Sequence, residues 1–119
     1  MTTTQEVANR LYELCQTGQY EAAHNELYSP EATSTERDQT GRLVTATGLE
    51  AIKQKGMQFQ SMIEEMHGGY THEPKVFGNH VFMEMGMDVT MKGMPRMNMN
   101  EMCHYEVKDG KIISERFHY

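Results

Sequence analysis

The chain opens on helical periodicity. Val7, Leu11, Leu14 and Cys15 fall at i, i+4, i+7 and i+8, which puts them on one helical face. Thr3 followed by Glu6 fits a capping box, which satisfies free backbone N–H groups at a helix start. Gly18 suits the far end, because glycine tolerates the left-handed conformation there. A second short helix is expected from Tyr20 to Tyr28, with Ala23 and Leu27 inward and Pro30 as its stop. Ala32 to Glu36 reads as a short strand, and the polar stretch Arg37 to Thr45 as a loop. The third helix has the cleanest stripe: Leu49, Ile52, Gly56, Phe59 and Ile63, at spacings of 3, 4, 3 and 4. Thr47 and Glu50 supply a second capping box, and Gly68-Gly69 is the expected end.

The second half changes period. Lys75-Val76-Phe77, Gly78-Asn79, His80-Val81-Phe82 is a hairpin signature. From Val81 to Met91 the pattern alternates, as a strand does. Val81, Met83, Met85, Met87, Val89 and Met91 share one face; Phe82, Glu84, Gly86, Asp88 and Thr90 share the other. Met97 to Val107 and Lys111 to Tyr119 follow as strands around turns at Lys92-Gly93 and Lys108-Asp109-Gly110. Helices segregated from antiparallel strands define an α+β domain, here one domain over residues 1–119. Such a sheet must bury one face under the helices. If it curls, it leaves a cone whose mouth can hold a ligand.

Composition narrows the function classes. Of 119 residues, 38% are hydrophobic, with part of the apolar mass carried by 12 Met, and the net charge is −6. That charge, with no Lys/Arg-rich patch, argues against nucleic acid as a partner. No run of about 18 apolar residues exists to span a membrane. The first ten residues lack a basic start and apolar core, so no signal peptide is expected. Two cysteines are too few for a disulfide framework and suit a reducing cytoplasm.

Three segments carry a resemblance. Leu27-Tyr28-Ser29-Pro30-Glu31-Ala32 resembles the join between second helix and first strand of SnoaL-like proteins. Gly48-Leu49-Glu50-Ala51-Ile52-Lys53 resembles the start of their long helix, and Tyr105 to Ile113 their closing hairpin. With the element order, these are similar to the nuclear transport factor 2-like superfamily. The resemblance implies a cystatin-like cone: a curved antiparallel sheet packed on three N-terminal helices. The superfamily includes ketosteroid isomerases, polyketide cyclases, epoxide hydrolases, dehydratases and pure binding or assembly modules, so the fold alone names no reaction, and a non-catalytic binding module for an apolar ligand or a homodimeric assembly domain are the alternatives to an enzyme. Its enzymes generally place an Asp or a His on the sheet, facing the cone. Several carry a carboxylate on the last strand where this chain has Phe117.

Candidate chemistry follows from strand faces. A three-residue bulged loop at Lys108-Asp109-Gly110 would pair Tyr105 with Ile113, Cys103 with Glu115 and Glu101 with Phe117, all on one apolar face. A two-residue loop would instead pair His104 with Glu115. On the preferred reading Glu101 and Glu115 enter the cone, where burial raises a carboxyl towards neutrality and makes it a usable base or acid. Tyr105 would donate to a developing oxyanion. The competing reading makes both carboxylates rim residues paired to Arg96 or Arg116. Asp88 could face the cone or water. Tyr12, Tyr28, Phe59, Phe82, Cys103 and Phe117 are candidate ligand-lining residues, with ordinary core packing as the alternative. No cofactor is implied.

The six histidines, His24, His67, His72, His80, His104 and His118, form no motif with ligand spacing, so no metal is expected, although His104 or His118 could act as a lone base. The Met-x-Met spacings could bind Cu(I), but alternate Met is also what a flexible apolar face looks like. With helices on one face only, that Met stripe is expected on the other, as the interface of a homodimer. The remaining partner would be a small apolar molecule.

Overall fold

The computed structural model describes residues 2–119. Their elements run α1 (Thr4–Gln16), α2 (Tyr20–Leu27), β1 (Tyr28–Arg37), β2 (Leu43–Thr47), α3 (Leu49–Met62), β3 (Ile63–Thr71), β4 (Lys75–Phe77), β5 (His80–Met91), β6 (Arg96–Lys108) and β7 (Lys111–His118). The strands form one curved, unclosed sheet in the order β2-β1-β7-β6-β5-β3, with β4 also paired to β5. The sheet is mixed rather than wholly antiparallel, because β1 runs parallel to β7.

Local signals set α1. Thr3 caps it through the Glu6 backbone N–H at 3.1 Å, and Glu6 accepts from the Thr3 N–H at 2.9 Å. Val7, Ala8, Leu11, Leu14 and Cys15 are buried. Gly18 closes the helix at φ 70°. Thr3→Ala is expected to cost about 1 kcal/mol, read as a melting temperature a few degrees lower in a thermal scan; an unchanged melt would mean water replaces the cap at no cost.

The structure corrects four element boundaries. Helix α2 ends at Leu27, and Tyr28 already begins β1, so Pro30 sits inside a strand, where the pairing to β7 is irregular between Tyr28 and Thr33. The expected loop from Arg37 to Thr45 gives way at Leu43 to β2, which pairs Thr35 with Thr45 and Thr33 with Thr47. Thr47 therefore belongs to a strand. Gly48, at φ 93°, is the residue before α3, with no side-chain cap. Helix α3 stops at Met62, and Ile63 leads straight into β3, which pairs with β5 from Met91 back to Met85. Glu64, Glu65 and Met66 are good helix formers, but the open edge of β5 outcompetes their preference.

The Met stripe is also placed differently from the expectation. Register pairs Met83 with Cys103, Met85 with Glu101 and Met87 with Met99. The Met face of β5 and the Glu101–Tyr105 face of β6 are thus one face. It is the face the helices cover: Val81, Met83, Cys103 and Tyr105 join Leu11, Leu14 and Ile52 in the core. Met83 is wholly buried, so it cannot be the exposed interface the sequence suggested.

Candidate functional site

Three strands bring the cluster together. Across the helix-covered face, Ser34 of β1 lies beside Glu115 of β7, and Glu115 beside Tyr105 of β6. The next pair is Phe117 with Cys103, followed along β6 by Glu101. The β6–β7 loop is a two-residue turn with Asp109 and Gly110 both at positive φ. Ile113 then bulges out as an extra residue, because Glu106 pairs with Ser114 and Val107 with Ile112. The expected three-residue loop is therefore corrected. The bulge, two residues further on, still returns Glu115 and Phe117 to the inner face, while Ile112 rather than Ile113 takes the core position.

Hydrogen bonds join the residues. Tyr28 donates its hydroxyl to Glu115 Oε1. Ser34 stands directly beside Glu115 across the β1–β7 pairing. Lys55, from α3, donates to Ser34 Oγ at 2.6 Å and to Glu36 Oε2 at 3.1 Å. Its ammonium stands 5.4 Å from the centre of the Phe117 ring. The Cys103 thiol donates to Glu101 Oε1 at 3.7 Å, a weak contact.

Depth decides the electrostatics. Tyr28, Ser34, Tyr105 and Glu115 form a closed floor, with Glu115 only 3% exposed. Burial pushes the Glu115 carboxyl up, against the opposing pull of the neighbouring Ser34 and Tyr28 hydroxyls. Burial and the neighbouring Glu115 push the Tyr28 phenol well up, so it stays a donor. Glu101 is half-buried. Desolvation is the main cause that lifts its carboxyl to about 7; Glu36 and Glu115 add to it, while the Cys103 contact and Lys55 oppose it. A carboxyl poised there exchanges protons at neutral pH. The thiols are inert by the same logic: burial raises both, Cys15 to about 12.

Not every candidate joins the cluster. Asp88 is on the opposite, outer face, held by Arg96 through two hydrogen bonds of 2.9 and 2.7 Å. Phe82 is on that face too, stacked on the His104 ring at 4.5 Å, so it lines no cone. His104 in turn meets His80, ring nitrogen to ring nitrogen, at 3.0 Å. Tyr12 packs at the core edge on α1, its hydroxyl accepting from Gln16 at 2.8 Å. Phe59 is half-buried on α3, one turn beyond Lys55. Among the described residues, no three His, Cys, Asp or Glu stand together to hold a metal ion.

Sequence reasoning missed Ser34, Glu36 and Lys55. A signal for Lys55 existed. It lies three residues after Ile52 and four before Phe59, inside the apolar stripe rather than opposite it.

Half-buried Met85, Met87, Met97 and Met99 continue the inner face beyond Glu101. The surface carries two clefts. One of about 240 Å³ is bounded by Tyr70, Gly86, Asp88, Asn98 and Asn100; one of about 110 Å³ by Arg37, Leu43, Arg116, Phe117 and Tyr119, so it borders the cluster at Phe117. Gly86 lets the Tyr70 phenol lie flat on the sheet, because a Cβ there would displace the ring.

A family model described as a SnoaL-like domain matches residues 2–119. A crystal structure from Mesorhizobium loti, provisionally named a SnoaL-like polyketide cyclase, is 34% identical. Its TM-score is 0.91, with 99% of this chain and 100% of that chain covered. A Burkholderia pseudomallei protein, described as NTF2-like and of unknown function, shares the fold at 16% identity and TM-score 0.77, over 100% of this chain and 92% of that one. A protein of ketosteroid isomerase-like fold from Catenulispora acidiphila, solved with trimethylamine, does so at 22% and 0.73, over 98% and 87%. No curated protein matches the chain.

Proposed function

The chain belongs to the SnoaL-like domain family, and from that premise we propose that its inner sheet face is a cofactor-independent acid/base site for a small apolar carbonyl compound. Glu101 is the base. The observation that carries this reading is the position of its carboxyl: half-buried, lifted to about 7, and set between the closed Tyr28–Glu115 floor and a row of half-buried methionines. Methionine side chains rearrange easily, which suits a face that opens for an apolar guest. Glu101 removes a proton from carbon next to the carbonyl. The electron pair moves onto oxygen as an enolate, and the proton returns at the same or another carbon. Tyr105, the donor expected from sequence, lies in the floor beside Cys103 and Glu115 and supports the site from below.

Two free, buried cysteines suit a reducing cytoplasm. A homodimer would use the outer sheet face, where Phe77 and Met102 are exposed beside the Phe82–His104 stack.

The test is deuterium wash-in from D2O at the carbon next to the carbonyl of 2-tetralone, followed by NMR with the protein-free rate subtracted. The base must be ionised, so the protein-dependent rate should be low at pH 5.5, rise through about pH 7 and level off above it. A protein that binds the ketone but never exceeds the background rate is a binding module, and the catalytic reading is lost.

A further inference from the structure

The proposed reaction leaves negative charge on the ligand oxygen, yet the two buried phenols do not serve it. The Tyr28 hydroxyl is committed to Glu115, and Tyr105 is only 3% exposed. A cation reaches the same face. Lys55 projects from α3 into the cluster, with about a third of its side chain open to solvent. An ammonium has three N–H donors. Ser34 Oγ and Glu36 Oε2 take two of them. The Phe117 ring flanks the ammonium without accepting a proton, which leaves the third donor for a guest.

Resting on the acid/base reading above, we infer that Lys55 receives the ligand's oxyanion, so that the inner face selects apolar molecules carrying an enolate- or phenolate-type oxygen over neutral or cationic ones. The protein as a whole carries −6, which disfavours anions at its surface. An ammonium set among Glu36, Glu101 and Glu115 therefore discriminates: a guest that offers its oxygen to Lys55 is held, and one that cannot is left against carboxyl groups. The pair with Glu36 is partly solvated and thus weakly held, so the ligand oxygen competes with that carboxylate. Ser34 fixes where the ammonium stands. During the reaction the C–H proton goes to Glu101, the carbonyl oxygen gains the electron pair, and Lys55 keeps its own protons.

The probe is 4-nitrophenol, an enolate mimic whose phenolate is read by its visible absorbance. Bound to the wild-type protein it should be ionised at a pH where the free phenol is not. Lys55→Met should lose that absorbance and weaken binding at least about tenfold, while Lys55→Arg should retain the band. Glu36→Gln, which removes the competing carboxylate, should tighten phenolate binding, and it carries the test if Lys55→Met does not fold. Unchanged phenolate binding in Lys55→Met, or unchanged binding in Glu36→Gln where Lys55→Met does not fold, overturns the role of Lys55. Stronger binding of trimethylammonium than of the phenolate by the wild type overturns the ligand class. Failure of the wild type to bind the phenol overturns it as well. The ketone wash-in result stands apart from all of these, so the base can survive the loss of Lys55 as its partner.

Discussion

Glu101→Gln is expected to slow deuterium wash-in by about 10²–10⁴-fold, the usual contribution of a positioned general base, and to make the protein more stable at pH 8. Both effects have one origin. The Glu101 carboxyl rises from its ordinary 4.5 to about 7, mainly because burial disfavours its charge. Between those values the folded chain binds more protons than the unfolded chain, so stability falls as pH rises. The favourable contribution is fully present below pH 4.5 and is lost above about 7. The full difference corresponds to roughly 3 kcal/mol, and solvent screening of a partly exposed carboxyl reduces it to about 1–2 kcal/mol. Glutamine keeps the shape and never ionises, so it escapes that loss. The comparison is thermal or urea unfolding of both proteins at pH 5 and pH 8. Equal stability at both pH values would mean Glu101 is solvated and poorly suited as a base.

A stabilising change that removes activity is the signature of a group retained for chemistry. Asp88→Asn makes the contrast. That carboxylate lies on the outer face with Arg96, which holds it below its ordinary range. Its loss should leave wash-in untouched.

How far the sequence could foresee this depends on where each signal lives. The Thr3–Glu6 cap and the Val7–Leu11–Leu14 stripe are local, and they read correctly. The hairpin at Gly78-Asn79 is local too. Strands β2 and β3 are edge strands, defined by the neighbours they pair with, and nothing in Leu43–Thr47 or Ile63–Thr71 declares that pairing in advance. The same holds for faces. Alternation puts Glu101, Cys103 and Tyr105 together, but only the register of β5 on β6 shows that Met83 and Met85 share their side. Ser34, Glu36 and Lys55 come from β1 and α3, far along the chain from Glu115, so the cluster exists only once the parallel β1–β7 pairing is made.

That dependence on register gives the most direct structural test. Ile112→Ala should cost about 2–5 kcal/mol, because Ile112 is fully buried and its removal leaves a cavity among core side chains. Ile113→Ala should cost roughly 1 kcal/mol or less, because Ile113 is the half-buried extra residue of the bulge. A three-residue loop would reverse the order, since it would set Ile113 opposite Tyr105 on the inner face. It would also slide Glu115 beside Cys103, away from its place next to Tyr105 and Ser34. Urea unfolding of the two variants therefore reads the register directly. If Ile113→Ala proved the more damaging, the Tyr28–Glu115 floor would be misassembled, and the depth assigned to both carboxyls would have to be redrawn. The predicted order instead fixes Glu115 in the floor and leaves Glu101 as the carboxyl a ligand can reach.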